Sequence, residues 1–461
     1  MTVGTVVFVS LVLDLFAFTI PLPLFPRIIE WYTKRESNDP NGFLSKSLAA
    51  VSAIRSLFYT STHNSQKWDI VLLGGLMGSV FSALQFLVSP HIGSLSDTYG
   101  RKPVLLFTMI GNILSAVVWL QSTTFASYML SRVIGGLSEG NVQLAIAILS
   151  DVSTPSTRSR TLASIGIAFA LCFCLGPPIG AYFASKPIPP SLTTQGVELN
   201  VYALPALISL VLLLLETAFL AVFLPETKGS RVSSPEEDKQ NGETQEKNNN
   251  GTPHERLALL ATLRRTHFLF LAIFSGVEFT LTFLTFDLLD WDNRRNGTLL
   301  ATIGVLSALL QGGYVRRALA RVGEPVIARR GVRACALSFA LLALLPSYPS
   351  ARVLYAAAAL LAYTSATVVN ALTAHAAQLT DDGDAAQLTD DAGGGDLAKG
   401  RALGRFRSSG QLGRALGPLL ACAGYWTFGP AVTYAACAGA MVVLSAGMGG
   451  LGGVKAKDKR E

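Results

Sequence analysis

Apolar and polar residues are distributed along this chain in long blocks, and those blocks set its architecture more than any short period does. Apolar runs lie near 3–29, 70–92, 103–121, 125–150, 161–184, 201–224, 266–289, 298–314, 327–346, 351–378, 402–425 and 429–452. Most approach the ~20 residues that a helix needs to cross a ~30 Å hydrocarbon core. The pattern therefore predicts an all-α polytopic membrane protein with about twelve transmembrane helices.

The polar interruptions divide these runs into two sets of six. Residues 228–264, rich in Glu, Lys, Asn and Ser, cannot bury enough apolar surface to fold and predict a disordered cytoplasmic linker. It separates an N-terminal six-helix bundle, 1–227, from a C-terminal one, 265–454, which a basic tail, 455–461, follows. Within the second set, 376–396 carries Ala-Gln-Leu-Thr-Asp-Asp twice, at 377–382 and 386–391, and reads as an acidic low-complexity insertion. The halves look related: Arg160, Gly176 and Pro177 of the fifth run match Arg401, Gly417 and Pro418 of the eleventh at one offset. Repeat-built transporters show this kind of weak internal symmetry.

Composition narrows the class. A chain of 461 residues with 50% hydrophobic and 15% charged residues and a mean hydropathy of +0.43 is too apolar for a soluble globule and too long for a single anchor. Its net charge of +7 gathers in short connections, Arg101/Lys102, Arg158/Arg160, Lys228/Arg231/Arg264/Arg265, Arg316/Arg317/Arg321/Arg329/Arg330 and Lys399/Arg401, and in the tail Lys455/Lys457/Lys459/Arg460. These fall on one side of a twelve-span chain, so the charge reports orientation, with both termini cytoplasmic, and not a nucleic-acid partner. The surrounding membrane is either the plasma membrane or an internal one. Cys172, Cys174, Cys335, Cys422 and Cys437 all lie in apolar runs, in a number and spacing that suit neither a disulfide framework nor a zinc site. No phosphate-binding Gly-Lys-Ser/Thr loop and no helical zinc motif occurs, so no cofactor, metal site, catalytic set or ATP-driven pumping is expected.

One connection stands out. Gly93-Ser94-Leu95-Ser96-Asp97-Thr98-Tyr99-Gly100-Arg101-Lys102-Pro103 predicts a tight, charged turn at the membrane surface. Gly93 and Gly100 supply the backbone freedom that a tight hinge needs. Asp97 can accept backbone N–H groups at a helix's positive end and pair with Arg101, four residues on. Contacts of this kind hold one arrangement of two halves and break in the other, so these residues and Lys102 are candidate gating residues. No counterpart to Asp97 accompanies Gly313, Arg316, Arg317 and Gly323 in the second half, which makes the latch one-sided.

The residues Gly93, Leu95, Asp97, Gly100, Arg101 and Lys102 resemble the signature between helices two and three of the major facilitator superfamily. Arg132-Val133-Ile134-Gly135-Gly136 and Gly176-Pro177-Pro178-Ile179-Gly180 are similar to motifs of its drug/proton antiporter branch, and Leu13-Asp14 with Pro23-x-x-Pro26 resembles tetracycline/proton antiporters. The resemblance implies a secondary active transporter working by alternating access, exporting small organic anions or drug-like amphipathic solutes, coupled to protons, and acting as a monomer in the lipid bilayer. It also implies that a bend at Gly176 and Pro177 seals the cavity. Ordinary close packing of small residues is the alternative for that pair.

Ionisable residues inside apolar runs are expensive and carry the remaining candidates. Asp14, Arg132, Glu139 and Glu278 form the proton-coupling set, with permanent structural ion pairs as the alternative. Arg407, Gln411 and Arg414 share one helical face and, with Asn370, are candidates for binding a carboxylate or sulfonate. Arg407 either does this or snorkels to the surface. Glu216 either pairs across the bundle or marks an inexact span, and Asn370 and His375 equally suit helix–helix hydrogen bonds. Uniport or symport of a metabolite, and a non-transporting scaffold or sensor, are the competing functions.

Overall fold

A computed structural model describes residues 1–21, 24–58, 65–184, 202–229, 253–291, 293–380 and 397–452. Their regular structure is helical, as it must be where no water is present to satisfy the backbone. The first half contains α1 (Val3–Thr19), α2 (Phe25–Arg35), α3 (Phe43–Phe58), α4 (Ser65–Tyr99), α5 (Arg101–Leu120), α6 (Phe125–Ser138), α7 (Asn141–Asp151), α8 (Pro155–Ala184) and α9 (Ala203–Phe223). The second contains α10 (Pro253–Leu289), α11 (Asn293–Leu310), a π-helical turn (Gln311–Val315), α12 (Arg316–Val322), α13 (Glu324–Leu344), α14 (Ala351–Leu379) and α15 (Lys399–Gly447). Among the described residues, nine helical stretches are long and apolar enough to cross a membrane. The shorter α1, the Arg-bearing α13 and the second arm of α15, which turns at Gly429 with φ 80°, complete the twelve crossings.

Several predicted boundaries shift, each for a local reason. The run 3–29 is two helices, because Pro21 follows α1 and the chain re-enters a helix only at Phe25. The tight turn expected over 93–103 shrinks to Gly100: residues 93–99 are the last turns of α4, and α5 starts at Arg101. Gly100 has φ 103°, and Gly323, which precedes α13, repeats that conformation with φ 88°. The two halves thus make the same sharp turn with the one residue type that tolerates it. The predicted linker 228–264 is too long, because 253–264 form the opening turns of α10, with Pro253 at its start and Leu260 and Leu263 buried. Residues 230–252 lie outside the described residues, as do 381–396 of the duplicated acidic segment, whose first residues, 376–379, finish α14.

The halves meet along α4 and α15 through small residues at helical spacing. A Cβ on Gly93 would collide with the Gly400 carbonyl oxygen, and one on Gly404 would lie 2.6 Å from the Ser89 carbonyl oxygen. One turn further, Ser408 Oγ donates to the Phe86 carbonyl oxygen at 2.6 Å. Gly400, Gly404 and Ser408 on one helix, and Ser89 and Gly93 on the other, therefore let the two backbones touch. In contrast, Gly176 packs within the first half: a Cβ there would collide with Thr19, and Gly180 sits against the Ile20 carbonyl. α8 runs unbroken through Pro177 and Pro178, and while Gly176 faces the far end of α1, Cys174, two residues earlier, packs against Gly304 of the second half.

Replacing Gly93 or Gly400 by Ala should force α4 and α15 apart at the Asp97 end. Spin labels placed across that end are expected to report a longer distance in either variant. An unchanged distance distribution would contradict the backbone-contact seam.

Candidate functional site

Among the described residues, charge gathers at the Asp97 end and at mid-depth in the first half. At the Asp97 end, α4 ends against the start of α15. Asp97 Oδ1 accepts the Gly400 N–H and Oδ2 accepts the Arg401 N–H, both at 2.8 Å. The carboxylate thus caps a helix of the opposite half at its positive end. Arg101 Nη1 donates to Asp97 Oδ1 at 2.6 Å, and its Nε donates to Asp151 Oδ2 at 3.0 Å. Lys399 Nζ reaches across from the second half to Asp151 Oδ1 at 2.8 Å. Arg101 and Asp151 are each 2% exposed in the side chain, Lys399 6% and Asp97 18%, so two acids and two cations alternate in a largely buried network.

The other half of the signature is secured by a residue that sequence reasoning missed. Glu226, just past α9, accepts the N–H groups of Arg101, Lys102, Thr227 and Lys228 at 2.8 to 3.1 Å. Partial burial pushes the Glu226 carboxyl up, but the four N–H groups outweigh that and hold it below its ordinary value of 4.5. Lys102 is no ion-pair partner in the latch; its Nζ caps the end of α9 on the Ala221 carbonyl at 2.8 Å. Arg158 of the first half donates to the Ala377 carbonyl oxygen in the last turn of α14 at 3.2 Å. Cations suit that negative helix end as Asp97 suits the positive one.

The second cluster forms where the fourth crossing breaks. α6 ends at Ser138, Glu139 takes an extended conformation (φ −71°, ψ 99°), and α7 starts at Asn141. The break leaves the first N–H groups of α7 without intrahelical partners and turns its positive end into the bundle. Asp14 is 4% exposed and accepts from Asn141 Nδ2 at 2.7 Å, while Asn112 of α5 hydrogen-bonds Glu139. Arg407 of α15 lies close enough to act electrostatically on both carboxylates. A cation of the second half therefore serves two acids of the first.

Above this pair is a cavity with about 480 Å³ of empty space, part of it open to the outside, whose lining includes Asp14, Phe18, Phe81, Trp119, Arg132 and Glu139. Trp119 and Arg132 lie near the end opposite Asp97, and Asp14 and Glu139 form the floor. The Arg132 guanidinium carbon is 5.6 Å from the ring centres of both Trp119 and Tyr128, and its Nε has no partner among the described residues. A cation held by aromatic faces keeps its N–H groups available to an anion.

The remaining candidates separate. Glu278 and Arg414 are both exposed and interact with each other in the second half, apart from the first-half acids. Gln411 is buried. Asn370 donates to the Ala366 carbonyl within α14, and its amide and that of Gln311, in the π-helical turn, flank Gly166 of α8. Glu216 pairs across the bundle, accepting from Ser10 Oγ at 2.7 Å.

Two outcomes follow from this geometry. Asp151→Asn removes the carboxylate that the buried Arg101 and Lys399 share and leaves Arg101 only its bond to Asp97, which costs about 3–5 kcal/mol of this arrangement. Cysteines at the Asp97 end should then become reactive to a water-soluble maleimide, and protection equal to wild type would contradict the network. For Glu226, a lowered carboxyl contributes its cap above the ordinary value of 4.5 and loses it as the pH falls through the lowered value. Hydrogen-exchange protection at the Arg101 and Lys102 amides should therefore drop on acidification in the wild type and be low at every pH in Glu226→Ala.

Comparison with known proteins agrees with this architecture. Residues 7–390 match the family model described as Major Facilitator Superfamily. The chain is 33% identical over 457 residues to cattle (Bos taurus) major facilitator superfamily domain-containing protein 10, spanning 95% of this chain and 90% of that one. It is also 25% identical over 284 residues to the class B tetracycline resistance protein of Escherichia coli, covering 60% and 64% of the two chains. Among solved structures, the human organic anion transporter MFSD10 (TETRAN) superposes with a TM-score of 0.79 at 30% identity, over 97% of this chain and 98% of that one. A latch between two helical halves, charges buried at mid-membrane and these likenesses together make the chain a membrane transporter of the major facilitator superfamily, and not an enzyme.

Proposed function

We propose that the protein moves small organic anions by alternating access between its two six-helix halves, with protons as the coupled ion. The observation that carries this reading is Arg407: a second-half cation acts on the first-half carboxylates Asp14 and Glu139, so their charge is tied to how the halves sit. Likeness to a human organic anion transporter supports the substrate class. So does the cavity, which offers Arg132 to an anionic group and Phe18, Phe81 and Trp119 to an apolar body. The Lys and Arg distribution supports cytoplasmic termini, which puts the latched Asp97 end inside and the cavity mouth outside. One chain contains both halves, and a monomer suffices.

Charge balance gives the coupling a sign. Asp14 and Glu139 balance Arg132 and Arg407 when all four are ionised. An anion that enters adds one negative charge, and uptake of one proton by either carboxyl restores neutrality at the least electrostatic cost. Anion and proton then bind together and cross together, toward the alkaline side. Exchange against protons, which the motif resemblance implies, instead requires the anion to expel the proton.

Reconstituted liposomes separate these readings. A radiolabelled naphthalenesulfonate stays ionised and does not cross lipid unaided. Accumulation in an alkaline lumen supports movement together, accumulation in an acidic lumen supports exchange, and flux indifferent to pH supports uniport and overturns proton coupling. Arg132→Gln should raise the KM for the sulfonate about 10- to 100-fold, the worth of a charge-assisted hydrogen bond.

A further inference from the structure

Among the described residues of the first half, Glu216 is a fully buried carboxyl that neither the latch nor the cavity uses. It is 0% exposed on α9, its Oε1 accepts from Ser10 Oγ at 2.7 Å, and its Oε2 has no hydrogen-bond partner among the described residues. A packing role does not call for an acid, because Gln or Leu fills the same space without the cost of burying a carboxyl group. A free carboxyl oxygen inside a membrane bundle is, in contrast, a place where a proton can arrive and leave.

Its position along the bundle gives that place a direction. α1 and α9 pack antiparallel: Ser209 Oγ donates to the Ala17 carbonyl oxygen at 3.0 Å, and Ser10 pairs with Glu216 seven residues further along each helix. α9 ends toward Glu226, which holds the backbone of Arg101 and Lys102, so Glu216 lies nearer the Asp97 end than Ser209 does. On α1, Ser10 is four residues before Asp14, about 6 Å along the axis. Glu216 therefore sits one helical turn below the floor of the cavity, between the Asp14–Glu139 pair and the closed latch.

The groups around it are mostly neutral or acidic. From α1 come Ser10 and Asp14; from the break before α7 comes Glu139, and both carboxyls act on Glu216 electrostatically. α8 brings Cys172, whose Sγ donates to the Val12 carbonyl oxygen. α5 brings Lys102, whose Nζ is at the Ala221 carbonyl, beyond Glu216 toward the surface. Arg407, which serves Asp14 and Glu139, is the second-half cation, and Glu216 lies on the side of that pair facing the latch.

We propose that Glu216 is the proton station on the latch side of the cavity: a proton held at Asp14 or Glu139 passes to Glu216 Oε2 and leaves from there when the Asp97 end opens. In the transfer, one carboxyl becomes the anion as Glu216 becomes the acid, so protons and charge are conserved. This rests on the proton-coupled reading above, and its function is release, not anion binding. Net coupled flux of the sulfonate and its one-for-one counterflow thus make different demands on Glu216: the first needs proton release, and the second does not.

The test is Glu216→Gln, which keeps the acceptor for Ser10, in proteoliposomes with radiolabelled naphthalenesulfonate. Gradient-driven accumulation should fall about tenfold or more, on the scale of a lost proton-transfer group, while counterflow of the sulfonate at equal pH, which needs no proton release, stays within about twofold of the wild type. Glu216→Asp should recover part of the accumulation. Ser10→Ala, which retains the acid, should lower accumulation with counterflow intact, and it decides the matter if Glu216→Gln does not fold. Wild-type accumulation in both Glu216→Gln and Ser10→Ala overturns the assignment, as does equal loss of accumulation and counterflow, which marks a structural role. Absence of gradient-driven accumulation in the wild type itself refutes proton coupling and, with it, this station.

Discussion

The hydrogen bonds from the Gly400 and Arg401 amides to Asp97 are the contact on which the rest of this arrangement depends. A helix that starts in a buried site leaves N–H groups that must find an acceptor, and for α15 the acceptor belongs to the other half. Everything nearby supports that cap. Arg101 fixes the Asp97 carboxylate and is itself balanced by Asp151, which Lys399 approaches from the capped helix. The glycines at the seam exist so that the backbones can come close enough for the cap to form. Because every partner in this cap is a helix terminus or a charge, the junction is specified by electrostatics and hydrogen bonding, which the proposed alternating access would release as a unit. An apolar seam of the same area has no comparable way to let go.

Much of this was legible from local patterns. Asp97 and Arg101 are one helical turn apart, so their pairing could be read directly, and so could the expectation that Asp97 meets a helix's positive end. Which helix it meets could not, because the partner is 303 residues away. Asp151 and Lys399 were hidden for the same reason: one reads as the polar end of an apolar run, the other as an orientation charge. The helical face of Arg407, Gln411 and Arg414 was correctly periodic, yet periodicity does not tell which half a face looks into. Arg407 looks toward the acids, and Arg414 toward Glu278.

Hydropathy misled in two places for opposite reasons. The opening turns of α10 contain His254, Glu255, Arg256, Arg264 and Arg265, which dilute the leucines that bury there. Arg256 holds its buried place by donating to the Leu379 carbonyl oxygen, a contact invisible to composition. The run 125–150 erred the other way, since uninterrupted apolar character concealed a break. Gly140, next to an acid, was the single local hint, and a glycine in a membrane helix has too many other uses for that hint to decide.

That break has a mechanical consequence. Every residue of α7 is buried, and α7 packs against α14 and α15 of the opposite half as well as α1, α5 and α8 of its own. α6 instead packs against α3, α4 and α5. One crossing is thus a jointed rod, with one segment clamped between halves and the other bound to its home bundle. In the alternating access proposed above, parting of the halves would concentrate torque at this joint, and the residue at the joint is Glu139. Under that proposal its carboxyl would need no chain of neighbours to sense the motion, because the joint that would turn is its own backbone.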